Sequence, residues 1–459
     1  MTSNNPRDDG QASTLPVFPW SMRLRFVYVL YQVLLHLALP ALLLLLLIRS
    51  KREPLYRANL AQRFGRVRPL TEGRVLVFAA SLGETRAASL VVKGLLDEGV
   101  NILLTHSSPA GLHAGRALFA DDIASGRVVQ SYIPGDFFWA VRRFLRDHRP
   151  SLGVVVEAEL WPGLMAEAAQ RKIPMVQING NYTERAFVRD TGPFGLMRGT
   201  FWKFYSRIIT KSEERADRYR RAGVDPARIS VVGELKFDLP IRDDMRSAAK
   251  AAGSQLGQRR TLTIASSIEA EEEELIAFID QLRAEVSPPP LILWVPRSPQ
   301  RFDAVFDRLR ERGLNCGRRS DVFDDSLRGG EIVKDIDVLI GDSLGEMDFY
   351  YALADIVFVG ATLAPMGGHN IIEPLALERA VITGPSLYGI AYPAYDAIEA
   401  GALISADNAQ ELATIAAAHF NNPARYEAFQ SRTKGFNDQH KGASDRTVAL
   451  LMPYLGGER

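Results

Sequence analysis

Short, continuously apolar runs recur along most of this chain, each separated from the next by a stretch of helix-forming composition. The first half carries them at 75–80, 102–105, 128–133, 152–156, 174–178, 208–210 and 229–232. The second half repeats the pattern at 262–265, 291–295, 338–340, 356–359 and 381–383. A strand without polar alternation is buried on both faces, and parallel strands need long crossovers that helices supply. The gaps provide them, for example at 83–96, 161–171 and 213–222. The pattern predicts an α/β chain with two Rossmann-like, doubly wound parallel-sheet domains. Ligands of such sheets bind outside the carboxyl ends of the strands. Two such domains facing each other would set both edges around one cleft.

The 459 residues suffice for two domains, and the formal charge of +1 leaves no global field to attract nucleic acid. Cys316 is the single cysteine, so no intrachain disulfide exists, which suits a reducing compartment. The seven histidines are scattered, without HxxxH spacing, which argues against a structural zinc site. Asp335-Ile336-Asp337 has the spacing of a metal-binding DxD but runs straight into the apolar stretch 338–340, so it reads as a strand edge. No metal or other cofactor is expected.

Residues 26–48 are almost wholly apolar, interrupted by Gln32, His36 and Pro40. A bilayer needs about 20 such residues. Arg49, Lys51, Arg52, Arg57, Arg63, Arg66 and Arg68 follow, against Glu53 alone. The excess of positive charge predicts a membrane anchor with everything after it in the cytoplasm. Pro40 and the polar interruptions leave both a spanning and a monotopic anchor open.

Each polar motif follows one of the apolar runs, and each has a plain structural reading beside a chemical one. Ser81 and Glu84 make an S-x-x-E capping box, or Glu84 is a carboxylate offered as general base to an acceptor hydroxyl. Strand alternation would put Glu157 and Glu159 on one side, as acceptor-binding or structural carboxylates. Ser266 and Glu269 form another capping pair, with hydroxyl and N–H groups still able to hold a phosphate. Arg297, fixed after Pro296, suits a phosphate or a surface salt bridge, and Arg301 lies one turn on. Asp342 and Ser343 either meet a nucleotide or, with Glu346, cap a helix past Gly345; Lys236 reaches an anion or stays solvated. In the run IVFVGATLAPMGGHNIIEP, a strand crosses Gly367 and Gly368 and enters a helix after His369-Asn370. Asn370 and Glu373 there read as a capping box, or as an anion site with Glu373 turned outward to a ribose diol.

Taken in order, these motifs resemble the 3-deoxy-D-manno-octulosonic acid (Kdo) transferase family of lipopolysaccharide biosynthesis. The resemblance runs from the anchor to the last helices. It includes Pro109–Gly111, Pro134, Asp136, the Glu157–Pro162 stretch, Asn179, Leu235–Asp238, Glu271, Glu272, Pro299, Ala354, Asp355 and Gly384-Pro385 besides the motifs above. It implies a GT-B fold and an inverting, metal-independent transfer of Kdo from the donor CMP-Kdo to a lipid A precursor at the inner membrane. It puts the general base on Glu84. The donor contacts fall on Arg297, Asn370 and Glu373, with Ser266, Asp342, Ser343, Gly345, Glu346, Gly368 and His369 around them. Phe78, Ile268, Ser298 and Ser386 stand where the family commonly has histidine. That leaves open a divergent paralogue with another activated sugar or lipid and, in a different class, a nucleotide-sugar epimerase of the same fold. The implied organisation is a tail at 1–23, an anchor at 24–49, an acceptor domain at 50–237, a linker at 238–260, a donor domain at 261–430 and a C-terminal helix at 431–459 packing on the first domain.

Overall fold

The computed structural model describes residues 20–51, 53–70, 72–192, 196–257, 259–329 and 335–455, so most of the expected tail, and Arg52, lie outside the described residues. The chain divides into two compact units. One takes the residues up to Leu239 and those from Gly442 onward; the other is Pro240–Lys441.

The first unit is built on a seven-stranded sheet of order β3-β2-β1-β4-β5-β6-β7. Its strands are β1 Val75–Phe78, β2 Ile102–His106, β3 Val128–Tyr132, β4 Leu152–Val156, β5 Met175–Gly180, β6 Arg207–Thr210 and β7 Ile229–Val231. Every pairing is parallel. All four residues of β1 and all five of β4 are buried, as strands covered on both faces must be. One layer of core gathers Leu76, Phe78 and Val155 with Phe144, Tyr182 and Trp202. The other gathers Val75, Val77 and Val154 with Val91, Leu95 and Leu451. The C-terminal helix Ala443–Leu451 belongs to this second layer, and the Asp238 carboxylate accepts hydrogen bonds from the N–H groups of Gly442 and Ser444, both at 2.7 Å.

The second unit repeats the plan with the order β10-β11-β9-β8-β12-β13-β14. Its strands are β8 Thr261–Ser267, β9 Leu291–Pro296, β10 Cys316–Arg318, β11 Val338–Ile340, β12 Ile356–Val359, β13 Ala380–Thr383 and β14 Leu403–Ser405. All of these are parallel as well. The stretch expected as a linker instead carries the helix Asp243–Leu256. Met245, Ala249, Ala252 and Leu256 bury one face of it against Phe349, Tyr350 and Leu353, so its polar composition reflects only the exposed face. Asp337 accepts from Asn315 N–H and pairs with Arg283 at the entry to β11, in keeping with a strand edge.

In each sheet, sequence order reverses beside the first strand laid down, between β1 and β4 and between β8 and β12; in the second sheet β10 also lies outside β11 at the edge. The loops leaving those strands diverge to opposite faces and open a crevice at the carboxyl edge. The helix Met22–Ser50 precedes the first sheet and is long and apolar enough to cross a membrane.

Candidate active site

In the first unit, the crevice beside β1 holds Glu84. Ser81 caps the short helix Leu82–Ala87 by accepting from Glu84 N–H. The same hydroxyl donates back to Glu84 Oε1 at 3.0 Å, and Oε2 accepts from Ala80 N–H at 2.8 Å. The capping role and the presented carboxylate are therefore one arrangement. Ala80 is itself clamped, because its carbonyl accepts from the N–H and hydroxyl groups of both Ser107 and Ser108 in the loop after β2. Beneath it the buried His106 bonds through Nδ1 to Ala79 O at 3.0 Å; burial pushes this imidazole down to about 4, so it is neutral and structural.

Burial is the main reason the Glu84 carboxyl rises to about 7, and the negative charges of Glu157 and Glu159 add to it. The Ala80 and Ser81 hydrogen bonds pull the other way. A carboxyl ionising near neutrality is matched to general-base work.

Glu157 and Glu159 do not project by strand alternation. β4 stops at Val156, and Glu157 takes a left-handed φ of 57°. From there its carboxylate pairs with Lys236 Nζ at 3.2 Å, while Glu159 accepts from Trp161 Nε1 at 2.6 Å. The Trp161 ring stands edge-on to buried Phe78 at 5.1 Å, so Phe78 is a packing residue.

Behind this edge runs a buried charged network. Glu234 pairs with Lys211 at 2.7 Å, and Asn179, at φ 50°, donates to Glu234 at 2.8 Å. Burial alone would raise Glu234, but Lys211 and Lys236 pull it down to about 2. Burial likewise opposes the Lys236 charge, yet Glu157, Glu234 and Glu84 outweigh it and hold the lysine above its ordinary range. Lys236 is thus fixed rather than solvated. Lys211 and Glu234 do not stand out in the sequence, because each looks like a lone charge at a strand end until the fold joins them.

In the second unit, the crevice beside β8 and β12 holds the other candidates. Arg297 leaves β9 exposed, and among the described residues its guanidinium makes no hydrogen bond or ion pair. Arg301 is committed elsewhere, to buried Glu272 at 2.6 Å and to Glu269 at 2.9 Å. Ser266 has a left-handed φ of 56°, and the expected Ser266–Glu269 cap does not form. Its backbone lies so close to Gly360 that a Cβ there would sit 2.6 Å from the Ser266 carbonyl oxygen.

Glu271, fully buried, organises the loop after β12. Its carboxylate accepts from the N–H groups of Ala361, Thr362 and Leu363 at 2.6 to 2.8 Å, with Ala364 and Ile268 at 3.4 Å. An acidic residue that would seem to oppose an anion is instead consumed in holding the loop. The loop continues through Gly367 and Gly368, both at positive φ, to His369. Burial, and then the charge on Arg297, push the His369 imidazole below its ordinary range; its Nε2 is buried with no partner among the described residues.

The following helix is Ile372–Ala376, starting one residue later than a cap at Asn370 requires. Ile371 is at the N-cap, and Asn370 Oδ1 instead accepts from Ile372 N–H at 3.0 Å, a local turn. Glu373 is exposed in the first helical turn. Ser386, in the loop after β13, accepts from Gly367 N–H at 3.0 Å and so braces the glycine turn.

The Asp342–Glu346 loop is largely closed on itself. Asp342 accepts from Ser320 N–H at 3.0 Å, Ser343 donates to Glu346, and Glu346 pairs with buried Arg319. Glu346 is the N-cap residue of Met347–Leu353, so the expected Ser343 cap is absent; Gly345 turns the loop at φ 81°. Among the described residues no cluster of three His, Cys, Asp or Glu could hold a metal ion.

A sequence profile described as 3-Deoxy-D-manno-octulosonic-acid transferase (kdotransferase) matches residues 58–239. A 3-deoxy-D-manno-octulosonic acid transferase of Bordetella pertussis is 37% identical over 384 residues, 83% of this chain and 87% of its own. One of Haemophilus influenzae is 30% identical over 433 residues, 93% of this chain and 98% of its own. Among solved structures, UDP-GlcNAc 2-epimerase from Neisseria meningitidis, bound to UDP-GlcNAc, superposes with a TM-score of 0.57 at 11% identity, covering 83% of this chain and 99% of that one. At that identity the likeness is one of fold, and the fold is of the GT-B type.

Proposed function

The chain belongs to the 3-deoxy-D-manno-octulosonic acid (Kdo) transferase family and is a glycosyltransferase; on that premise we propose that it moves Kdo from CMP-Kdo to a lipid A precursor, with Glu84 as general base. The observation that carries the reading is the Glu84 carboxyl, fixed by Ala80 and Ser81 at the crevice of the first sheet and raised to about 7.

Glu84 takes the proton of an acceptor hydroxyl as that oxygen attacks the anomeric carbon. The bond from that carbon to the CMP phosphate breaks, and the configuration inverts. Arg297 is the candidate cation for the phosphate, since no carboxylate among the described residues engages it. Glu373 is the candidate acceptor for the ribose hydroxyls, with Asn370 shaping the turn before it. A single phosphate held this way needs no divalent ion, so the reaction is proposed to be metal-independent.

The helix Met22–Ser50 and the basic residues after it support an acceptor that sits in a bilayer, at the cytoplasmic face of the inner membrane. They also weigh against an epimerase, whose substrate is soluble. The direct test is incubation of the purified protein with CMP-Kdo and an acylated glucosamine disaccharide, followed by mass analysis of the lipid.

A further inference from the structure

The polar interruptions of the N-terminal helix are not free. Gln32, 6% exposed, donates through Nε2 to Asp136 O at 2.9 Å and accepts through Oε1 from Phe138 N–H at 3.1 Å. Tyr31 OH donates to Asp136 Oδ2 at 2.9 Å, and Trp139 Nε1 donates to His36 Nε2 at 2.9 Å. Leu24 enters the core of the first unit beside Ile133 and Val141. Asp136 is a built joint: its carboxylate also accepts from the N–H groups of Gly163 and Leu164 at 2.7 and 2.8 Å. A Cβ at Gly163 would meet the Asp136 carbonyl oxygen at 2.6 Å, so the joint has no slack.

The chain that leaves the helix returns to the same place. Tyr132 OH donates to Leu55 O at 3.0 Å, Tyr132 N–H donates to Gln62 at 3.0 Å, and Gly135 N–H donates to Arg63 O at 2.8 Å. Both flanks of the helix are therefore tied within a few residues of the end of β3. Beyond His36 only 37–50 is left undocked, about 21 Å of helix at 1.5 Å per residue, against a hydrocarbon core of about 30 Å. A helix pinned at both flanks to one side of one globular unit cannot carry either end across.

What faces outward is apolar: Phe26 is 69% exposed and Leu37 73%, with Val29, Val33, Leu34, Leu44, Leu47 and Ile48 along the same length. Cations frame it. Arg23 and Arg25 lie at its start and Arg49, Lys51, Arg57, Arg66 and Arg68 at and beyond its end, all exposed and without an ion pair among the described residues. An exposed apolar surface with lysine and arginine at both of its ends fits burial among acyl chains with the cations held at anionic headgroups.

We propose that Met22–Ser50 is not a transmembrane span but lies within one leaflet of an anionic bilayer, docked through Gln32 and Tyr31 onto Asp136, with both of its ends on the side that carries the globular units. The topology does not depend on which sugar is transferred.

The test uses the full chain with Cys316→Ser and, separately, Met22→Cys or Lys51→Cys, bound to preformed sealed vesicles of phosphatidylethanolamine and phosphatidylglycerol. A membrane-impermeant maleimide should label both positions to the same extent before detergent is added. Labelling at Lys51→Cys with Met22→Cys protected until the vesicles are dissolved would mean a spanning helix and overturn the proposal. A lipid-free dimer that ignores the vesicles would overturn it too, because the apolar face would then belong to a second copy. As a check that does not rely on cysteine variants, changing Arg57, Arg66 and Arg68 together to Gln should weaken binding to phosphatidylglycerol vesicles by about 100-fold. Unchanged binding would contradict the headgroup contact.

Discussion

The carboxylate of Glu84 accepts the backbone N–H of Ala80 at 2.8 Å, across the turn that joins β1 to its helix. That contact leaves the side chain no rotamer freedom, and the Ser81 hydroxyl holds the other oxygen. The candidate base is thus set by its own backbone, ahead of any substrate, which is how a group is preorganised for proton transfer.

Because the Glu84 carboxyl is raised to about 7, activity should follow its ionisation. We expect kcat/KM to rise with pH up to about 7 and level off above it, and the Glu84→Gln variant to lose about 100- to 10,000-fold in kcat. CMP affinity, measured by calorimetry, should stay unchanged. A variant keeping near-normal turnover would remove Glu84 from the role.

The same shift makes a stability prediction of definite sign. A folded-state pKa above the unfolded one means that the folded chain holds the extra proton between the ordinary glutamate range and about 7. Stability should therefore fall as pH rises through that window. After allowance for partial exposure, the effect is about 1–2 kcal/mol. Glu84→Gln should flatten that part of the profile in urea denaturation at a series of pH values and be the more stable protein above it.

Arg297 is the exposed cation at the crevice of the second sheet. Arg297→Ala should weaken CMP binding by about 10- to 100-fold, the value of a charged hydrogen bond. Arg297→Lys should recover only part of this, since a point charge does not reproduce a two-pronged contact. Isothermal calorimetry with CMP reads both, and an unaltered affinity in the Ala variant would exclude Arg297 from the phosphate.

Glu271 gathers four N–H groups of the loop after β12 on one fully buried carboxylate. Glu271→Ala leaves them without an acceptor and should destabilise the second unit by about 2–4 kcal/mol, read from denaturant unfolding. CMP binding should fall with it, since Gly367 to Glu373 continue the same loop. A variant as stable as the parent would mean that water satisfies the loop.

Much of this was legible in the sequence, for reasons that differ by element. Strands β1 and β4 announce themselves because burial on both faces demands an unbroken apolar run. β10 and β14 do not, being three-residue edges, Cys316–Arg318 and Leu403–Ser405, that pair on one side only. The S-x-x-E spacing located Glu84, and the question whether it caps or presents a carboxylate was a false choice, because the geometry does both. The Asn370 cap was misplaced by one residue, since the turn to Ile372 N–H delays the helix. In the sequence Glu271 is one acid in a run of acids, and nothing local marks it out, because its partners, Ala361 to Ala364, are some ninety residues on. Gln32 and His36 were visible as interruptions in an apolar helix, but nothing local names Asp136, Phe138 and Trp139 as what they bind.

The central claim is transfer of Kdo to a lipid with Glu84 as base, and one measurement addresses it most directly. The purified full-length protein and its Glu84→Gln variant are each incubated with CMP-Kdo and an acylated glucosamine disaccharide, and the lipid is weighed by mass spectrometry. The account predicts a lipid heavier by one or more Kdo residues with the parent protein, matched by release of CMP, and an unchanged lipid with the variant. An unchanged lipid from both, or an equal gain from both, would contradict it.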